Sequence, residues 1–250
     1  MKSDFREKIS IIIPTYNEEK VIRKSIKKIY KALSNKGFSF EIIITDDGSL
    51  DNTKKIIRQL KKRISNIKLL NSNPNQGKGH VLTRAFKIAR GDVQLYVDAD
   101  IPFQLNTIIK LIKFIEDGEK IVIGSRHLKN SDAEYPFLRK ILSVTYSYIA
   151  NKLCKGEIKD YQCGLKGFKK ETILELIREV KNKGWLWDTE ILLLAQEKGI
   201  KIKEIPVTVR NIFKRKTKVR LFKDGFFMIL GLIKLRSRLI KNHNKNKSLI

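Results

Sequence analysis

The chain has 250 residues, 42% of them hydrophobic, which is enough for one large domain or for one domain with a small appendage. Lys and Arg number 53 against 26 Asp and Glu, a net charge of +27, so an anionic partner is expected: nucleic acid, anionic lipid headgroups or a phosphorylated substrate. Cys154 and Cys163 are the only cysteines, with no CxxC pair and no Cys/His cluster, which argues against zinc and fits a reducing compartment with free thiols.

The N-terminus, MKSDFREKIS, is charged and has no apolar core, so no signal peptide is expected. KISIII (8–13) reads as a strand ending at Pro14. EEKVIRKSIKKIYKAL (18–33) places Val21, Ile22, Ile26, Ile29 and Leu33 on one helical face. FEIIIT (40–45) reads as a second strand, DNTKKIIRQLKKRI (51–64) as a second helix and IKLLN (67–71) as a third strand. GKGHVLTRAFKIAR (77–90) reads as a helix and VQLYV (93–97) as a strand. Strands so uniformly apolar are covered on both faces, which implies a parallel sheet between helices and a Rossmann-like α/β half.

Beyond it come a strand IVIG (121–124), a polar loop (125–136) and an amphipathic segment FLRKILSVTYSYIANKL (137–153). YQCGLKGF (161–168) follows, then helices near 170–180 and 187–198 and a strand KIKEIPVTV (201–209). Residues 211–250 hold twelve Lys and Arg against one acid, Asp224, and read as a basic, partly helical tail on a domain spanning 1–210. Its apolar run GFFMILGLI (225–233) is far short of the roughly 20 residues of a spanning helix. The chain is therefore expected to be soluble or peripheral to a membrane.

In an open parallel sheet, ligands gather at the carboxyl ends of the strands. Those ends read PTYNEE (14–19), TDDGSLDNT (45–53), NSNPNQGKG (71–79) and DADIPFQ (98–104); all are polar and three carry acids. In extended backbone Asp98 and Asp100, two residues apart, point the same way, and with Gln104 they suit Mg²⁺ or Mn²⁺ held partly by a substrate's phosphates. Asp46 and Asp47 are placed to accept hydrogen bonds from a base or a ribose, while Asp51 reads as a helix cap. Neither GxGxxG nor GxxxxGK[ST] is present, so common dinucleotide and P-loop sites are disfavoured.

PTYNEE, TDDGSLDNT, NQGKG, VDADIPFQ and IGSRHL, in this order, resemble the family-2 glycosyltransferases, which carry a GT-A fold. DYQCGLKGF (160–168), GWLWDTEILLLAQEKG (184–199) and IKEIPVTV (202–209) narrow the likeness to the polyprenyl-phosphate glycosyltransferases, with the dolichyl-phosphate β-glucosyltransferase branch first and the mannosyltransferase branch next. The resemblance covers about residues 8–220. It implies a GT-A fold with a mostly parallel sheet and flanking helices. It also implies transfer of a hexose, glucose from UDP-glucose by the branch likeness, to a membrane-borne polyprenyl phosphate. GDP-mannose and UDP-N-acetylglucosamine are alternative donors. By the same likeness Pro14, Tyr16, Glu18 and Asp47 line the nucleoside pocket, and Lys78 lies near the base or diphosphate. Asp98, Ala99, Asp100 and Gln104 would meet the metal and diphosphate.

An acceptor phosphate is already anionic near neutral pH and needs cations to aim it rather than a base to activate it. Arg126 and Arg139 are the candidates, since a guanidinium fork matches phosphate geometry. Asp160 and Gln162 are placed to face the same phosphate, and Lys218 aligns with a family lysine, although KRKTK replaces the Gly-Ser-Lys that relatives often carry. Asp188, with Glu190 nearby, is a candidate for a sugar hydroxyl. Trp185 and Trp187 suit either the sugar and lipid or the core. His80 and His127 receive no role, and Cys163 reads as a packed residue. Apolar residues of 137–153 and 225–233, rimmed by Lys and Arg, suit an anionic membrane surface on its cytoplasmic face. A nucleic-acid partner is disfavoured because acids at the strand ends would repel a phosphate backbone. A soluble-acceptor transferase is also disfavoured, because no clear carboxylate base follows DYQCGLK. The intact DAD argues against a catalytically dead relative.

Overall fold

The computed structural model describes residues 9–100, 103–134, 136–210 and 221–247. Strands β1 (Ile9–Thr15), β2 (Phe40–Asp46), β3 (Ile67–Asn71) and β4 (Val93–Val97) alternate with helices α1 (Ile22–Asn35), α2 (Thr53–Lys61) and α3 (Lys78–Ile88). Helix α4 (Leu105–Glu116) leads to β5 (Ile121–Ser125), the short β6 (Asp132–Ala133) and α5 (Phe137–Cys154). Strand β7 (Leu165–Lys169), helices α6 (Lys170–Leu176) and α7 (Trp187–Glu197), strands β8 (Ile202–Pro206) and β9 (Thr208–Val209), and α8 (Leu221–Lys247) complete the order.

Seven strands form one sheet in the order β3-β2-β1-β4-β7-β5-β8, and β6 pairs with β9 beside it. Strands β1 to β4 pair in parallel, as their apolar runs predict. The whole sheet is mostly parallel, as expected, and one strand supplies the exception. Strand β7 runs antiparallel to both β4 and β5, so the sheet is mixed although mostly parallel. Its reversal brings the residues that precede it, 160–164, to the rim where the other strands end. Sequence order reverses between β1 and β4, the kind of switch point at which α/β sheets bind ligands.

Both faces of the sheet are covered. Ile11, Ile13, Ile42 and Ile44 pack under α1, α2 and α4, while Ile12 and Ile43 face α3 and α7. Ile108, Leu111, Ile112 and Ile115 fix the inward stripe of α4, a helix for which the sequence reading assigns no element. Helix α1 starts four residues later than expected, because Val21 and Ile22 donate to the Glu18 carbonyl at 3.1 and 2.9 Å and close a turn first. The tail is not wholly an appendage. Leu232 and Leu235 of α8 are buried in the core that α7 helps to build. Among the described residues, no helix is long and apolar enough to cross a membrane.

Candidate active site

Asp98 follows the last residue of β4, and its backbone N–H donates to the Gly164 carbonyl at 2.9 Å. Its carboxylate lies directly over Gly164, where an added Cβ would meet Oδ2 at 1.8 Å. Any side chain at 164 would therefore displace it. Asp98 Oδ1 is 3.2 Å from Lys78 Nζ, in the first turn of α3, and Lys78 is also 3.2 Å from Asp188 Oδ2. Asp188 in turn holds Lys166 Nζ at 2.9 Å. Burial works against the charge on Lys78, but Asp188 and Asp98 overcome it and hold its pKa well above the usual lysine range. Burial, reinforced by the Lys78 charge, pushes Lys166 down to about 7. Burial also raises the Asp188 carboxyl, against the pull of Lys78.

Ala99 is buried, Asp100 is exposed, and Gln104 is exposed at the head of α4. The side chain of Asp98 is 39% exposed. Asp98 and Asp100 thus offer hard oxygens at an open strand end. Among the described residues no group of three His, Cys, Asp or Glu could enclose a metal. This donor set fits Mg²⁺ or Mn²⁺, which take one or two carboxylates and fill the remaining positions with water and substrate phosphates.

Pro14 is in β1, paired with Thr45, while Tyr16 and Glu18 lie in the following loop, which is stitched to the loop after β2. Asn17 N–H donates to Ser49 Oγ at 2.8 Å, Leu50 N–H to Asn17 Oδ1 at 2.8 Å and Glu18 N–H to Thr53 Oγ1 at 2.7 Å. Asp51 accepts from Thr53 N–H at 2.9 Å and Glu19 N–H at 3.1 Å, so it ties the start of α2 to the first loop, while the N-cap position itself falls on Asn52 rather than on Asp51 as expected. Asp46 and Asp47, adjacent in sequence, part ways here. Asp46 is fully buried and accepts from both the backbone N–H and the hydroxyl of Ser49, with Lys54 at 3.6 Å. Its carboxylate is engaged by that turn rather than presented to a base or ribose. Asp47 accepts from Gln76 N–H at 2.7 Å and Gly77 N–H at 2.9 Å, so it holds the loop that presents Lys78. Gly77 has φ +95°, and a Cβ there would lie 2.4 Å from the Lys183 carbonyl oxygen. That position requires glycine.

On the other side, Arg126 after β5 directs its fork at Asp160. Nε donates to Oδ2 and Nη2 to Oδ1, both at 2.7 Å, and the Arg126 backbone N–H adds a bond at 2.9 Å. Asp160 is fully buried. Burial would raise its carboxyl, but Arg126 outweighs that and holds it at about 2. Asp160 is thus turned toward Arg126 and away from any acceptor phosphate. Ser143 joins Arg126 at 3.2 Å and His127 at 3.0 Å, and Arg139 sits half-buried one turn earlier on α5. Gln162 donates to Thr189 Oγ1 at 3.0 Å. Lys218 lies outside the described residues.

Asp188 is 1% exposed, so it supports Lys78 from beneath instead of meeting a sugar hydroxyl. Glu190, also buried, accepts from the backbone N–H groups of Lys181 and Asn182 at 2.9 and 2.8 Å and from Arg238. Trp187 belongs to the core, with its ring stacked on Phe86 and Nε1 donating to Thr83 at 2.9 Å. Trp185 is the half-buried one, with Lys78 Nζ 5.7 Å from its ring centre. Lys166, fully buried against Asp188, is a charged residue of this site to which the sequence reading assigns no role. Its signal was a lysine between Leu165 and Gly167, near the start of the strand LKGFK.

A family model described as Glycosyl transferase family 2 matches residues 10–177. The dolichyl-phosphate beta-glucosyltransferase of Dictyostelium discoideum is 35% identical over 254 residues, spanning 96% of this chain and 77% of that protein. Its counterpart in Saccharomyces cerevisiae is 32% identical over 248 residues, spanning 91% and 74%. Glycosyltransferase AglD of Haloferax volcanii is 32% identical over 227 residues, which make up 90% of this chain and 35% of that protein. Among solved structures, glucosyl-3-phosphoglycerate synthase from Mycobacterium tuberculosis superposes with a TM-score of 0.69 at 18% identity, over 92% of this chain and 80% of that one. That crystal holds Mn²⁺, UDP-glucose and phosphoglyceric acid. Mannosyl-3-phosphoglycerate synthase from Rubrobacter xylanophilus gives 0.73 at 16% identity, over 95% and 75%. The structural likenesses establish a GT-A fold. With the family model matched across most of its length, the chain belongs to glycosyl transferase family 2 and is a glycosyltransferase.

Proposed function

We propose that this enzyme transfers glucose from UDP-glucose to a polyprenyl phosphate of the dolichyl type, with inversion, at the cytoplasmic face of a membrane. The observation that carries the reading is the pair Asp98 and Asp100 at the switch-point rim, with Lys78 held beside them by two carboxylates. The names of the relatives support the donor sugar and the lipid acceptor. Pro14 in β1 and Tyr16 and Glu18 on the following loop, which Asn17, Ser49 and Thr53 brace, wall the nucleoside.

Lys78 presents an ammonium to the diphosphate, held in place by ion pairs with Asp98 and Asp188. Asp98 and Asp100, with Gln104 as a further candidate, would hold a divalent ion whose chemistry is to neutralise the charge on the departing diphosphate. The acceptor phosphate oxygen attacks the anomeric carbon as the bond from that carbon to the donor β-phosphate oxygen breaks. One displacement inverts the centre and releases the nucleoside diphosphate. The nucleophile is anionic already, so no side chain need remove a proton. Burial of Asp188 and Glu190 suits this scheme, since neither can serve a hydroxyl acceptor as base. Arg126 and Arg139 flank the acceptor side, where their charge steers a phosphate.

The test is a panel of radiolabelled nucleotide sugars incubated with polyprenyl phosphate in liposomes, followed by organic extraction. UDP-glucose counts should enter the organic phase, vanish in EDTA and return with Mg²⁺ or Mn²⁺. Entry of mannose or N-acetylglucosamine instead would correct the donor. Counts confined to the aqueous phase for every donor would refute the lipid acceptor.

We infer that the membrane contact lies on α5 and α8; their packing against each other supports this. Phe137, Ile141, Val144 and Tyr148 recur at helical spacing along α5 and are exposed, Phe137 at 77%. Phe227, Leu230 and Ile233 do the same on α8. Lys140, Lys152, Lys234 and Arg236 are exposed on the same two helices, and each cation adds about 1 kcal/mol at an anionic surface. Replacing Phe137 and Ile141 by Asp should weaken sedimentation with anionic liposomes by at least roughly tenfold, given about 1.5–3 kcal/mol per buried side chain. Transfer to a short, water-soluble polyprenyl phosphate should survive the change. Unaltered sedimentation would move the contact elsewhere.

A further inference from the structure

We propose that Lys166 is a positioning residue for the donor site: its buried ammonium grips Asp188, and Asp188 in turn fixes Lys78 against Asp98. The proposal rests on the donor reading above.

Lys166 stands in the middle of β7, opposite Tyr96 of β4, and is fully buried. A lone ammonium in such a place is costly. Here all three of its donors are used, on Asp188 Oδ1 at 2.9 Å, the Cys163 carbonyl at 2.8 Å and Tyr96 Oη at 3.1 Å. Asp188, in the first turn of α7, divides its two oxygens between Lys166 and Lys78. Four charges therefore run in a line from the sheet interior to the rim: Lys166, Asp188, Lys78, Asp98. They sum to zero.

Neither Lys166 nor Asp188 can touch a ligand, since both are enclosed. Their influence reaches the donor only through Lys78. Lys78 needs such support, because it sits in the first turn of α3, where the helix dipole disfavours a cation. Without Lys166, Asp188 has Lys78 as its one remaining cation. The ammonium is then drawn inward, away from the place where a diphosphate would bind, and the balance of the network shifts toward negative charge. Folding alone gives no reason to keep the pair, since apolar replacements of buried ion pairs are often neutral or stabilising.

The test uses calorimetric binding of UDP in EDTA, alongside steady-state transfer in metal. Lys166→Met should weaken UDP binding roughly tenfold, as expected for members of one charge network, and raise the donor KM while leaving the acceptor KM unchanged. Asp188→Asn should do the same. The double variant should lose no more than Asp188→Asn alone, because Lys166 acts through Asp188. A merely structural lysine would give additive losses shared by both substrates. Near-normal UDP affinity in a folded Lys166→Met, or additive losses, would overturn the proposal. If Lys166→Met does not fold, the double variant, which removes both charges, carries the comparison. Failure of both to fold would also overturn it, by making the pair a requirement of folding. A wild-type chain that binds no nucleoside diphosphate would instead refute the donor reading itself.

Discussion

Asp100→Asn is expected to lower sugar transfer by on the order of 10³-fold, with no change in melting temperature. The substitution keeps the shape of the side chain and removes one formal negative charge. Asp100 is exposed at the strand end, so little apolar packing depends on its side chain. Asp98 would be a less decisive choice. Its Oδ1 is bound to Lys78 at 3.2 Å, so Asp98→Asn would both remove a metal ligand and release an ammonium. In EDTA, Asp100→Asn should bind UDP at least as tightly as the wild type, because one carboxylate that repels the diphosphate is gone; adding Mn²⁺ should strengthen binding to the wild type alone. Full transfer by Asp100→Asn would remove the ion from between the carboxylate and the diphosphate, and the proposed mechanism with it.

The contrast between Asp98 and Asp100 shows what the sequence could and could not disclose. That two acids end β4 on one side follows from the period of a strand. That Asp98 is clasped by Lys78 requires α3 to pack against the sheet, and its carboxylate lies over Gly164 because β7 runs backwards beside β4. Nothing local in GLKGF states the direction of that strand. The runs at 67–71 and 93–97 had the bounds that β3 and β4 adopt, since an apolar segment between turns is a local signal. Asp46 and Asp47 posed the opposite problem. Neighbours at a strand end point to opposite sides, so one of the two had to turn away from any shared ligand. Only the pleat decides which, and it buries Asp46 against Ser49. For Asp160 and Asp188, both read as ligand-facing, the missing information was depth: each is a buried anion whose partner cation, Arg126 or Lys78, comes from a distant part of the chain. Helix α4 was legible by its spacing of Ile108, Leu111, Ile112 and Ile115, but acids and Pro102 just before it drew attention to the strand end instead.

Arg126→Ala should produce the largest loss of stability. It leaves Asp160 fully buried without its guanidinium, a defect that costs about 3–5 kcal/mol. For a chain of this size that is a fall in melting temperature of roughly 6–20 °C. The acid dependence gives the sign. In the wild type the Asp160 carboxyl is held at about 2, below its unfolded value of 3.8. Its contribution is fully present above the unfolded value and is lost as pH falls through the folded one. In Arg126→Ala the strongest opposing charge is gone, so burial raises that carboxyl above its wild-type position, and the variant should regain stability relative to wild type on acidification. Arg126→Lys keeps the charge but not the fork, and should fall between the two. Activity of Arg126→Ala alone cannot separate folding from acceptor binding, because the fork that would aim a phosphate also holds Asp160. The double variant Arg126→Ala/Asp160→Asn separates them. Removing both charges should restore most of the stability while the acceptor KM stays raised by roughly tenfold or more, the loss expected for one charge-assisted contact. If the double variant recovers a normal acceptor KM and kcat along with its stability, Arg126 serves the fold alone, and the cation that receives the lipid phosphate must be sought at Arg139.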